Sequence, residues 1–214
     1  MRTSIVCVVV LWSLAGSVRA QRSPELNLAI QPDSGAEKAL GELRELKLSI
    51  RDGRRTAGFW LLGVGLASTL GGATLAIAGH EQHALLAAGI TTASFGVVNS
   101  LLTFGLLDLS EAQLRRIESE RDPRQFAQLR EAELVAQLES GQFFAVNTGL
   151  DVFYIATGAL LCAIAAVRSE PDRWELGAGV ATMGQGLFLL AFDIVSWMAA
   201  NRRAEAVRSL HSSP

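Results

Sequence analysis

The sequence predicts an all-α membrane protein, a four-helix transmembrane bundle built from two tandem helical hairpins with amphipathic extramembrane helices. Half of the 214 residues are hydrophobic although 19% are charged, and mean hydropathy is +0.29, so the apolar residues are gathered into blocks. Four blocks, near 57–79, 84–107, 143–167 and 177–199, are each long enough to cross a hydrocarbon core of about 30 Å, which takes roughly 20 helical residues. Their apolar runs are continuous rather than alternating, which excludes barrel strands and leaves helices as the crossing element.

The first twenty residues are a different object. Arg2, an apolar stretch from Ile5 to Leu14, and Val18-Arg19-Ala20 ahead of Gln21 have the basic start, short apolar centre and small-residue end of a secretory signal cut after Ala20. Cys7 leaves with it. Cys162 then stands alone inside the third block, so no internal disulfide forms and the thiol serves as a small apolar side chain.

Residues 21–56 are expected to form an extramembrane helix. Ser34-Gly35-Ala36-Glu37 has capping-box spacing, and Ala36, Ala39, Leu43, Leu46 and Ile50 follow at alternating steps of three and four. Charges of both signs flank this stripe, so Leu43, Leu46 and Ile50 read as a helix-packing seam rather than an anionic-lipid anchor. The linker 108–142 repeats the theme. Ser110 with Gln113 starts a helix, Asp122-Pro123 breaks it, and a second helix from Phe126 is expected to stop near Gly141. Residues 200–214 read as a polar tail.

Blocks one and two (57–107) are joined only by His80-Glu81-Gln82-His83, and blocks three and four (143–199) only by Arg168 to Arg173. Each pair is a tight hairpin, and the two hairpins share a pattern. Ala88-Gly89-Ile90 with Thr92 and Gly96 matches Ala178-Gly179-Val180 with Thr182 and Gly186, and Gly72-Ala73 matches Gly158-Ala159. This reads as a tandem repeat of equal orientation. Small residues recur every seventh position: Gly65, Gly72, Gly79; Gly89, Gly96, Thr103; Asp151, Gly158, Ala165; Gly179, Gly186, Asp193. Such stripes let helices approach closely in lipid. Asp151 stands where the first hairpin has Gly65, and Asp193 where it has Thr103.

Those two carboxylates carry the functional reading, because ionisable groups inside apolar spans are costly and face a bundle interior. Asp151 lies roughly 12 Å from the start of its span and Asp193 roughly 9 Å from the end of its own, in one leaflet because the spans are antiparallel. Asn99 reaches a similar depth, Asn147 and Tyr154 share the Asp151 face, and Gln185 sits deeper. Asp151, Asp193, Asn147, Tyr154, Asn99 and Gln185 therefore form a candidate polar cluster or ligand site. Two carboxylates close together in a low dielectric cannot both stay ionised, so the pair is expected to hold a proton. The competing reading is a buried hydrogen-bond network that fixes helix register.

Other chemistries lack support. His80, Glu81 and His83 offer no clear fourth metal ligand. No phosphate loop, HExxH or nucleophile elbow is present, basic residues alternate with acids, and so neither cofactor nor nucleic acid is expected. Trp60, Trp174 and Trp197 lie near span ends, as interfacial anchors do.

Asn147-x-Gly149-Leu150-Asp151-x-x-Tyr154-x-x-x-Gly158 and Gly184-Gln185-Gly186-x-Phe188-Leu189-Leu190-x-Phe192-Asp193 resemble an uncharacterised bacterial family of predicted four-span membrane proteins with a signal peptide. The resemblance covers roughly Gly58 to Ala200. It implies membrane topology and importance of the two aspartates, and no known activity. The first hairpin departs from the family's tryptophan and asparagine pattern at Gly96-Val97-Val98-Asn99.

Orientation signals conflict. A signal peptide delivers Gln21, the long polar segments and the C-terminus to the periplasm. Lys and Arg number seven in 21–56, five in 109–142 and three beyond Ala200, against two between Arg168 and Trp174, which by the positive-inside rule puts the same segments in the cytoplasm. The reading adopted is a multi-pass protein of the bacterial inner membrane with periplasmic long segments. Its expected function is non-enzymatic: a scaffold using the Leu43, Leu46, Ile50 seam to meet a second copy or a membrane or periplasmic protein. The alternative is a proton- or cation-linked transporter or channel component using Asp151 and Asp193.

Overall fold

All five prolines, at positions 24, 32, 123, 171 and 214, fall outside four long stretches of the chain, and nothing in those stretches removes a backbone donor or forces a kink. The computed structural model describes residues 34–106, 115, 117–120, 122–168 and 173–210, and each stretch is one helix in it. They are α1 Ser34–Ala78, α2 His83–Leu106, α3 Phe126–Val167 and α4 Trp174–Ser209, with a 3-10 turn at Pro123–Gln125 ahead of α3. No strand occurs among the described residues. The signal-like segment, the stretch from Gln21 to Asp33 and the helix start at Ser110 with Gln113 lie outside them.

Each of the four helices is long and apolar enough to cross a membrane. Three are much longer than that. α1 has 45 residues, about 67 Å at 1.5 Å per residue. Two expected boundaries are therefore absent: the amphipathic helix before residue 57 runs straight into the first apolar block, and α3 does not stop at Gly141. A Cβ on Gly141 would lie 3.7 Å from Ala200 Cβ and 3.8 Å from Trp197 Cδ1, so this glycine is a helix-packing residue rather than a helix end. The expected polar tail is also corrected, since α4 continues to Ser209 with Ala200, Ala204 and Val207 buried.

Through the apolar region α1 packs along α2, α3 along α4, and α2 against α4, while α1 meets α3 and α4 only briefly. The order across the molecule is α1, α2, α4, α3. Glycines set the two outer pairings. A Cβ on Gly72 would strike the backbone of Ala93 and Gly89, one on Gly89 the backbone of Ala76 and Gly72, and one on Gly96 that of Thr69 and Gly65. In the second pair, Gly158 faces Gly179 and Met183, Gly179 faces Gly158 and Cys162, and Gly186 faces Ile155 and Asp151. Corresponding positions differ by 86 residues along α1 and α3 and by 90 along α2 and α4.

The distribution of polarity is inverted relative to a protein in water. Buried positions in the apolar region include Asn99, Thr103, Asp151, Gln185 and Asp193, while Leu70, Ile77, Phe153 and Val167 are at least 65% exposed. An outer surface of this kind needs an apolar surrounding to be stable.

Beyond the apolar region the N-terminal half of α1, the start of α3, the end of α4 and residues 117–120 form a stalk. Ala39, Leu40, Leu43 and Phe126 make its core, flanked by Leu129 and Leu210. Leu43 is fully buried and Ile50 nearly so, while Leu46 is half-buried. The seam Leu43, Leu46 and Ile50 is thus largely covered by the chain itself and is not a free face. Arg44 donates to the carbonyls of Ile117 and Glu118, and Arg130 to those of Val207 and Arg208, answering carbonyls that a helix end leaves without intrahelical partners. Lys47 pairs with Glu120 at 2.8 Å with both side chains largely covered. Asp122 Oδ1 accepts from the Arg124 backbone N–H and starts the turn into α3.

If close backbone approach holds the pairs together, Gly158→Ala lowers stability by about 1–3 kcal/mol, the usual cost of overpacking. Gly63→Ala and Gly149→Ala, whose added Cβ meets nothing within 4 Å, change it by less. Thermal unfolding of the purified protein in detergent measures the contrast, and equal effects at all three positions would reject the seam.

Candidate functional site

Asp151 on α3 and Asp193 on α4 are brought together by the register of the second glycine seam. The Gly158–Gly179 and Gly186–Asp151 approaches fix two antiparallel helices so that the two residues sit about one turn apart along the axis. Each Cα–Cβ bond tilts toward the N-terminus of its own helix. In antiparallel neighbours this swings the two side chains toward one another. Their carboxyls lie within hydrogen-bonding range of each other, at 2% and 5% exposure.

Neighbouring elements bring Asn99 to the height of Asp193. Gly177 at the start of α4 lies against the Ala84 carbonyl at the start of α2, so these helices run side by side in the same direction and Asn99 falls level with Asp193. The Phe95 ring meets Tyr154 edge-on at 5.6 Å, so α2 also reaches α3 one turn from Asp151. Asn99 is 1% exposed, and neither atom of its amide has a hydrogen-bond partner. Asp151 Oδ2 and Gln185 Nε2 are likewise buried without partners. Leaving such atoms unmet costs about 1–3 kcal/mol each.

The six cluster residues are not equivalent. Asp193 and Asn99 share one level, and Asp151 lies about one turn away from it. Gln185 is buried about two turns away from Asp193, on the side opposite the stalk. Asn147 and Tyr154 are half-buried, one turn to either side of Asp151. Thr103 is a further buried member, one turn from Asn99, whose backbone carbonyl its hydroxyl bonds at 2.9 Å. Its signal in the sequence was the shared face and its place opposite Asp193 in the repeat. On the stalk side, Phe144 packs edge-on against Phe192 at 6.4 Å.

A carboxyl facing a carboxyl at hydrogen-bond range is an attraction only when one oxygen carries a proton to donate. The pair can therefore hold one proton and exchange it. The same oxygens also offer hard ligands suited to a small cation. Among the described residues no group of three His, Cys, Asp or Glu side chains is arranged to hold a metal ion.

Asp151→Asn preserves a hydrogen bond to Asp193 and should change stability by no more than about 1 kcal/mol. Asp151→Leu strands the Asp193 carboxyl and should cost more than about 2 kcal/mol. Thermal unfolding in detergent distinguishes them; equal losses would mean that the two carboxyls do not depend on one another.

No curated protein and no solved structure matches the chain. A family of unknown function, DUF6992, matches residues 60–194, which take in both helix pairs, both glycine seams and both aspartates. The stalk segments before residue 60 lie outside the match. Because the matched residues make up more than half of the sequence, the chain belongs to the DUF6992 family.

Proposed function

We propose that this protein is a multi-pass membrane protein, two tandem helical hairpins in a bilayer, whose Asp151–Asp193 pair binds and releases a proton or small cation as a transporter or channel component. The carrying observation is the facing of two buried carboxyls, with the buried Asn99 amide near the height of Asp193 on α2 and its donor and acceptor both unmet. A network serving only to fix register would be expected to satisfy its own members, since unmet polar atoms cost more than an apolar core. The apolar exterior and the small-residue seams support insertion, and the contacts that recur at matched positions support the repeat.

The scaffold reading drew on Leu43, Leu46 and Ile50, and two of these are taken up inside the stalk. On the proposed reading the protein is not an enzyme, and the stalk stands in the periplasm of a bacterial inner membrane, as the signal-like N-terminus directs. Alkaline phosphatase fused after Pro214 should then be active, whereas a fluorescent C-terminal fusion in its place would turn the stalk to the cytoplasm.

The functional test is flux. Wild-type protein in vesicles carrying a pH-sensitive dye should relax an imposed proton or sodium gradient, and Asp151→Asn and Asp193→Asn should slow it at least about tenfold while keeping helix content and a monodisperse elution profile. Flux equal to that of empty vesicles, or unchanged in both variants, would overturn the proposal.

A further inference from the structure

The foot of the stalk carries a second constellation, which the transport reading does not use. Arg51 and Arg54 stand three residues apart on α1 and so are neighbours on one helix surface. Between them is Gly53, and the missing side chain there is filled from α4: Arg203 Nη2 lies 2.9 Å from where a Gly53 Cβ would be. The charges that act on Arg203 are Arg54, of the same sign, and Glu133. Glu133 is already engaged, accepting from Gln137 Nε2 at 2.7 Å. Arg51 Nε is buried without a partner. No described carboxylate comes within ion-pair distance of Arg51, Arg54 or Arg203.

This contrasts with the rest of the stalk, where Arg44, Lys47 and Arg130 all have assigned acceptors. Two guanidinium groups, Arg54 and Arg203, beside one occupied carboxylate repel one another unless an anion joins them. Their height indicates which anion. Arg54 precedes Trp60 by six residues and Arg203 follows Trp197 by six, about 9 Å along each helix. Both tryptophans are exposed, and tryptophan anchors at the hydrocarbon boundary. The arginines therefore stand in the headgroup layer. Guanidinium is planar and binds phosphate oxygens through paired N–H donors, a geometry that lysine lacks.

We infer that Arg54 and Arg203, brought together at Gly53, form a phosphate site that takes the headgroup of an anionic phospholipid. This rests on the membrane part of the proposed function and is independent of its carboxylate site. The absent side chain at position 53 gives Arg203 room to lie against α1, where Arg54 adds a second guanidinium.

The test titrates the full-length protein, purified in a neutral detergent, with phosphatidylglycerol, phosphatidylcholine or inorganic phosphate, read by native mass spectrometry. Membrane association of every variant is read separately, by its resistance to alkaline extraction. Phosphatidylglycerol should bind at least about tenfold tighter than phosphatidylcholine, and Arg54→Gln with Arg203→Gln should abolish that preference. Gly53→Leu, which displaces Arg203 without changing the net charge, should do the same, while Arg202→Gln, at an exposed neighbour, should not. Inorganic phosphate binding as tightly as the lipid would overturn the lipid assignment. Equal losses in Arg202→Gln and the double variant, or no lipid preference in the wild type, would overturn the site. A wild-type protein that is extracted by alkali would instead sink the membrane reading.

Discussion

Everything else in the molecule depends on how closely the backbones of paired helices approach. At Gly72 against Ala93 and at Gly158 against Gly179 there is no room for a single added carbon. In hydrocarbon, helices gain nothing by hiding apolar surface from water, so association rests on dispersion and close contact, which glycine permits. Each glycine seam also fixes an axial register. The second seam places the Asp151 carboxyl against that of Asp193, where the first has only Gly65 and Thr103. The site is thus a consequence of packing geometry applied to two substituted positions.

Helix continuity is the second constraint. α1, α3 and α4 pass from the apolar region into the stalk without a break, because no proline interrupts them and glycines such as Gly72, Gly141, Gly158 and Gly179 are held against neighbours. The stalk closes this arrangement with groups far apart in sequence. Lys47 meets Glu120, and Arg130 caps the end of α4. A partly covered ion pair and helix-capping arginines define orientation more than they add stability, since desolvation offsets much of the Coulombic gain. The stalk therefore reads as a clamp that sets the angle between α1, α3 and α4 while the glycines set their spacing.

Much of this was legible in the sequence. The four apolar blocks are plain from hydropathy, the seven-residue glycine spacing marked the seams, and carboxylates within apolar blocks singled out Asp151 and Asp193. What was not legible had physical causes. Gly141 was read as a helix end because glycine ends helices in water, yet here it admits Ala200 and Trp197. The Leu43 stripe announced burial but not its partner, and Phe126 and Leu210 are too distant in sequence for periodicity to connect them. The Arg203 packing on Gly53 was invisible for the same reason, because neither residue is unusual until α1 and α4 are side by side. Asn99 was noticed for its depth alone; its unmet amide emerges only from the order α1, α2, α4, α3, which no local pattern encodes.

The carboxyl pair and the arginine cluster are linked through α4. Asp193 and Arg203 stand on one uninterrupted helix, separated by ten residues or about 15 Å, and the Gly141 contact with Ala200 lies between them. Rotating α4 about its axis to part the carboxyls would carry Arg203 off Gly53, and sliding it along α3 would break the Gly158–Gly179 approach. Separation of Asp151 from Asp193 at constant helix geometry is therefore confined to side-chain movement or to a tilt of α3 and α4 about the glycine seam. Of these, only the tilt changes the distance between the stalk segments. On the proposed reading, a cation entering the pair in place of a proton would demand more room than a proton does, and occupancy of the site would be tied to the angle of the stalk by the same rigid helix.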